Sequence, residues 1–200
     1  MKRFKRMIVI VTDSVGAGGA PDAERFGDEG ADTLKHIDEA VPGGLKIPNL
    51  RRLGWEKATH IHPEGVKIIG SYGRMREISN GKDTTSGHWE FMGNPVENPF
   101  PVFYDAFPQD LLDTFTKKTG HGWLGNEVAS GTEIIARLGP EHIQTKKPIV
   151  YTSADSVFQI AAHTDVIPLE ELYRICEVTR KEVCVGPYEV GRVIARPFVG

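Results

Sequence analysis

Apolar and polar positions follow two rhythms along this chain, and the changes between them outline its elements. Met7-Ile-Val-Ile-Val-Thr12 is a continuous β-branched run ending at Asp13-Ser14, the pattern of a central strand buried on both faces. Val15 to Pro21 is glycine-rich and reads as a loop leaving that strand's C-terminal end, the edge where open α/β sheets bind ligands. Asp32-Thr33 caps a predicted helix through Leu34, Ile37 and Val41, ended by Pro42-Gly43-Gly44. A second helix starts at Pro48-Asn49-Leu50 and stops at Gly54. Residues 66–78 have strand composition up to the turn signal Ser79-Asn80-Gly81.

Residues 94–108 hold Pro95, Pro99, Pro101 and Pro108 among aromatics, which places a domain junction near 95–100. A helix over 108–118 follows, with Pro108 and Asp110 in its first turn, Lys117-Lys118 in its last, and Gly120 beyond. Ser130-Gly-Thr-Glu133 fits a capping box for a helix through Leu138, with Gly139 as its stop. Strands are predicted over 148–153, 157–163 and 190–196. A helix over 168–180 carries Leu172, Ile175, Cys176 and Thr179 on one stripe. Strands and helices alternate in both parts, the order of an α/β protein.

Charge narrows the function. The 24 basic and 27 acidic residues leave a net charge of -3, which argues against a broad nucleic-acid footprint. A few convergent arginines still suffice for a small anion. The basic start Met1-Lys-Arg-Phe-Lys-Arg6 precedes an apolar run too short for a secretion signal, and no stretch has the length of a membrane span. Cys176 and Cys184 therefore read as free buried thiols, and a cytoplasmic location is expected.

Four stretches carry candidate chemistry. Gly16-Ala-Gly-Gly-Ala-Pro21 fails the dinucleotide pattern, because Pro21 replaces the third glycine, and it lacks the Lys-Ser/Thr of a Walker loop. Asp13, after an apolar strand, needs a positive neighbour, which a divalent ion would provide, or else caps the following turn. Gly81-Lys-Asp-Thr-Thr-Ser-Gly-His-Trp-Glu90 offers hydroxyls beside acids, a lysine and a histidine. It reads as a helix cap at Asp83 or Thr84, as a nucleophile awaiting a base or metal, or as both. In the last strand Val190, Arg192, Ile194 and Arg196 share a face, either a solvated surface or a phosphate clamp beside a sugar's apolar edge. His60, His62, His121, His142 and His163 show no metal-ligand spacing.

Thr12-Asp13-Ser-Val-Gly-Ala-Gly18 with Pro21-Asp-Ala23, Gly81-Lys-Asp-Thr84, and Gly87-His-Trp-Glu90 together resemble the phosphopentomutases of the alkaline phosphatase superfamily. So do Ala129-Ser-Gly-Thr-Glu133, Tyr151-Thr-Ser-Ala-Asp-Ser-Val157 and Gly191-Arg-Val-Ile-Ala-Arg-Pro-Phe-Val-Gly200. The resemblance covers nearly the whole chain, with Ser86 standing where that family usually has threonine. It implies an α/β core of alkaline-phosphatase type with an inserted α/β cap: residues 1–95 the first part of the core, 96–200 most of the cap.

The resemblance further implies interconversion of ribose 1-phosphate and ribose 5-phosphate, and of the deoxyribose pair, through a phosphothreonine at Thr84 and a bisphosphate. Asp13 and Thr84 are the implied metal ligands and catalytic groups. Ser153, Asp155, Val157, Arg192 and Ile194 are the implied contacts to the sugar phosphate. Two Mn²⁺ ions and a sugar bisphosphate activator are the implied cofactors, with no nucleic acid and no membrane as partner. That family's chain continues for about as long again and carries most of its metal ligands there. The sequence is therefore expected to be a fragment, inactive alone. A related phosphosugar mutase or phosphatase, and a sugar-phosphate-binding piece without activity, are the alternatives.

Overall fold

A computed structural model describes residues 4–12 and 15–200. The chain divides into two compact units, one ending at Glu77 and one spanning Ile78–Gly200.

The first unit carries α1 (Thr33–Ala40), α2 (Pro48–Leu53) and α3 (Trp55–Ala58). The Asp32 side chain caps α1 by accepting the Lys35 amide at 3.3 Å, and α2 runs from Pro48 to a left-handed Gly54, both as predicted. This unit is organised around Arg51, which is fully buried. A buried guanidinium must spend its donors inside the protein. Nη1 donates to the His62 carbonyl at 2.7 Å and Nη2 to the Leu45 carbonyl at 3.3 Å. The carboxylates of Asp38, Glu56 and Glu64 stand 3.7, 3.4 and 3.5 Å away. Backbone amides of His62 and Leu45 donate to Asp38 and, against the effect of burial, hold its pKa down at about 2.

The strands predicted over 7–12 and 66–78 do not form among the described residues. Ile8 and Ile10 are exposed, and the second segment is tied to the preceding helices by the Ile69 amide on the Arg52 carbonyl at 2.8 Å and by Arg74 Nε on the Ala58 carbonyl at 2.9 Å. Apolar β-branched composition supplies a tendency, but a strand exists only through backbone bonds to a neighbour.

The second unit is a three-layer α/β arrangement. It begins with α4 (Thr84–Phe91) and α5 (Gln109–Thr119), followed by β1 (Leu124–Val128) and α6 (Gly131–Thr145). Then come β2 (Ile149–Thr152), β3 (Val157–His163), α7 (Leu169–Val178) and β4 (Arg192–Phe198). The sheet runs β1-β2-β3-β4, with the outer pairs parallel and β2-β3 antiparallel. Period-two alternation sorts the side chains. Val150, Phe158, Ile160 and Ala162 pack with Leu111, Leu112 and Phe115 of α5 and Leu172 and Ile175 of α7. Ile149, Tyr151 and Ala161 face the other way and pack with Ile134 of α6.

In two places this unit departs from the sequence expectation. Strand β1 was not anticipated, because Gly125 and Asn126 both have positive φ and break the strand signature. Asn126 compensates by accepting the Phe107 amide at 2.8 Å and donating to its carbonyl at 3.0 Å, which ties the proline-rich segment to the sheet edge. Helix α6 also continues past Gly139 and Pro140. Its last turn is anchored by buried His142, whose Nε2 accepts the His163 amide at 2.9 Å and whose Nδ1 therefore donates to the Lys147 carbonyl at 2.7 Å. Burial lowers the pKa of that ring and favours its neutral form. Tertiary anchoring overrides the helix-breaking pair. Among the described residues no helix is long and apolar enough to cross a membrane.

Candidate active site

The second unit gathers hydroxyl, carboxylate and guanidinium groups where α4 starts and where β3 and β4 begin. Asp83 precedes α4 with extended backbone and accepts the amides of Thr85 at 2.9 Å and Ser86 at 3.1 Å. The Ser86 hydroxyl donates to the other Asp83 oxygen at 2.6 Å. Gly81 lies against this pair, since a Cβ there would stand 2.5 Å from the Ser86 oxygen. Asp83 is thus committed as a cap, and Thr84 is left exposed as the first helical residue.

Asp155, distant in sequence, meets Thr84. Its Oδ1 accepts the Thr84 amide at 3.2 Å and the Ser156 amide at 2.9 Å, and Arg192 donates to its Oδ2. Partial burial raises the pKa of this carboxyl. The hydrogen bonds from the Thr84 side chain and amide and the Ser156 amide, with the Arg192 charge, outweigh burial and hold it below the usual aspartate range. Asp155 is therefore an ionised acceptor at neutral pH, oriented by fixed donors.

Register places the remaining residues. Val157 is paired with Arg192 and Gln159 with Ile194 across β3–β4, so Arg192 and Ile194 lie on one face of the sheet. Ser153 is half-buried in the turn leading to Asp155. The unit thus brings Thr84 and Arg192 onto the same Asp155 carboxylate, with Val157 opposite Arg192 on β3 and Ile194 two residues further along β4. Asp13 lies outside the described residues.

Two groups to which the sequence reading gave no role hold this arrangement. The buried Ser156 hydroxyl donates to the Pro101 carbonyl at 2.6 Å and accepts the Gly191 amide at 3.0 Å, pinning three segments together. Gly191 permits close approach of α4, since a Cβ there would stand 2.9 Å from Thr85 Oγ1. Only a glycine directly before the strand signalled it, and that pattern is too common to read. Among the described residues no group of three or more His, Cys, Asp or Glu could hold a metal ion. The described donors do not by themselves fit a two-manganese centre.

No family model matches the chain. It is 54% identical over 199 residues to "Phosphopentomutase" of Caldanaerobacter subterraneus subsp. tengcongensis, an alignment covering 98% of this chain and 50% of that protein. It is 54% identical over 200 residues to "Phosphopentomutase" of Clostridium acetobutylicum, with the same two coverages. The chain is a homologue of the phosphopentomutases. It spans about half the length of the curated relatives it matches. The mixed α/β fold, with its four-stranded and mostly parallel sheet, agrees with the α/β class expected from the sequence.

Proposed function

We propose that this chain contributes the phosphoryl-carrying residue and part of the sugar-phosphate site of a phosphopentomutase, which interconverts ribose 1-phosphate and ribose 5-phosphate. The observation that carries this reading is the exposed Thr84 at the start of α4, its hydroxyl and amide on an Asp155 carboxylate that Arg192 neutralises.

The start of a helix aims free amides at an anion, so a phosphoryl group on Thr84 Oγ1 meets a favourable field there. Asp155 accepts the Thr84 proton when that oxygen attacks phosphorus of a sugar bisphosphate. The bond from phosphorus to the sugar oxygen breaks, and the sugar monophosphate leaves. In the reverse direction the phosphoryl group passes to the free hydroxyl of the bound sugar, Thr84 regains its proton, and the bisphosphate forms. Ser153 and Arg192 are assigned to the sugar phosphate, and Val157 and Ile194 to its apolar edge. Core-and-cap division at 95/96 belongs to this reading as a statement about the longer fold, whereas the compact units of this chain meet at 77/78. Asp13 and Thr84 are proposed as contributors to a manganese site. Bound Mn²⁺ would neutralise charge on the transferring group.

The test is a chimera of these 200 residues with the half of the Clostridium acetobutylicum relative that they do not span. It is expected to interconvert the two ribose phosphates, and Thr84→Ala is expected to reduce turnover to background. Release of phosphate to water without mutase turnover would make the protein a phosphatase instead. The 200-residue chain alone, assayed with Mn²⁺ and ribose 5-phosphate, is expected to show no turnover.

A further inference from the structure

The start of α6 carries a second polar cluster. The Ser130 side chain, expected to cap this helix, makes no cap bond and meets the Thr132 hydroxyl at 3.0 Å instead. The amides of Gly131, Thr132 and Glu133 meet no acceptor among the described residues. Beneath them lies Tyr151, wholly buried, with a phenol oxygen that makes no hydrogen bond of proper geometry. That oxygen reaches the helix start, because a Cβ built on Gly131 would stand 2.7 Å from it. The same Cβ would stand 3.0 Å from Arg196 Nε, so the guanidinium lies at the same place.

Arg196 is unusual in its unit. Arg137, Arg174, Arg180 and Arg192 each have a carboxylate partner, on Glu127, Glu171, Glu189 and Asp155. Among the described residues Arg196 has none; its Nη2 donates to the Gln159 side-chain oxygen at 3.1 Å and its guanidinium lies against the Tyr151 phenol. It shares a face of β4 with Arg192 and Ile194. A helix start with free amides, an exposed arginine lacking a carboxylate and a buried phenol whose polar neighbour, Arg196, is itself a donor all want an acceptor.

We propose that Arg196, Tyr151 and the Gly131–Thr132 amides form a phosphate-monoester site, taking the phosphate of a sugar phosphate that is not being transferred. Its position on the Arg192–Ile194 face makes this a deepening of the phosphopentomutase reading, on which the choice of a sugar phosphate rests. Gly131 is required because any side chain there would fill the space between the phenol and the guanidinium. Arg196 swings from Gln159 toward the anion, and the phenol donates to the oxygen that takes its place.

The test titrates the 200-residue chain with ribose 5-phosphate, inorganic phosphate and ribose, following backbone amide resonances by two-dimensional NMR. Both anions are expected to shift Gly131 and Thr132, and ribose is not. Arg196→Gln is expected to weaken both anions about tenfold or more, the loss of a charge-assisted contact. Arg137→Gln, about two turns along α6 from the Gly131 and Thr132 amides, is expected to leave affinity unchanged. Tyr151→Phe is expected to weaken the anions several-fold while leaving the melting temperature unchanged or raised, because it removes a buried hydroxyl whose O–H has no acceptor among the described residues. Anion shifts confined to Thr84, Asp155 and Arg192, or insensitive to Arg196→Gln, would overturn the proposal. Failure of the chimera to act as a mutase while these shifts persist would overturn the choice of substrate and leave the anion site standing.

Discussion

Ser156 and Arg51 show how single residues decide each unit. Ser156 satisfies the Pro101 carbonyl and the Gly191 amide at once, from a fully buried position. Ser156→Ala strands both, and is expected to cost about 1–3 kcal/mol in denaturant unfolding. It also frees the turn that presents Asp155. Arg51→Ala removes the cation from three carboxylates, two of them buried, and is expected to cost about 3–5 kcal/mol. Gly191→Ala places a methyl group against Thr85 and is expected to destabilise by about 1–3 kcal/mol. Asp83 as a helix cap was legible because its partners lie two and three residues ahead. The contact between Thr84 and Asp155 spans 71 positions, and no local pattern encodes it. Only the resemblance of separated motifs put the two in one site.

Elements were legible wherever period and neighbours agreed. Strand β3 falls on the predicted 157–163, and α7 buries Leu172 and Ile175 from the predicted stripe. The misses share a cause: the deciding partner was distant or outside the pattern. Strand β1 depends on Asn126 holding Phe107, and the end of α6 on His142 holding Lys147 and His163. The run 7–12 has strand composition with no partner strand among the described residues. Packing of α5 on the sheet makes Leu112→Ala expensive, with about 2–5 kcal/mol expected, since Leu112 is fully buried. The α5–α7 joint is acid-sensitive. Glu171 on α7 is held at a pKa of about 2, first by its hydrogen bond from Arg174 and also by His121. A carboxylate with depressed folded pKa contributes stability above its ordinary value, near 4.5, and loses it as pH falls toward 2. Asp38 adds the same sign from 3.8 down to about 2. Thermal melts between pH 6 and pH 2 should therefore lose stability mainly below pH 4.5, with Glu171→Gln flattening the upper part of that fall.

At the scale of the whole molecule, the second unit has what independent folding requires. Both apolar clusters lie between Phe103 and Phe198, on either face of one sheet. Residues 78–200 expressed alone are expected to unfold cooperatively with dispersed NMR spectra. The first unit is built around a buried charge cluster and leaves Met7, Ile8 and Ile10 exposed, so its stability depends on polar geometry more than on apolar burial. All of the reacting groups assigned here except Asp13 lie in the second unit, which makes Thr84 the centre of the account. Mapping phosphorylation by mass spectrometry in the chimera, after incubation with ribose 1,5-bisphosphate, tests it most directly. The account predicts a phosphoryl group on Thr84 that returns to ribose 5-phosphate on chase. A mutase-active chimera phosphorylated on another residue, or on none, would contradict it.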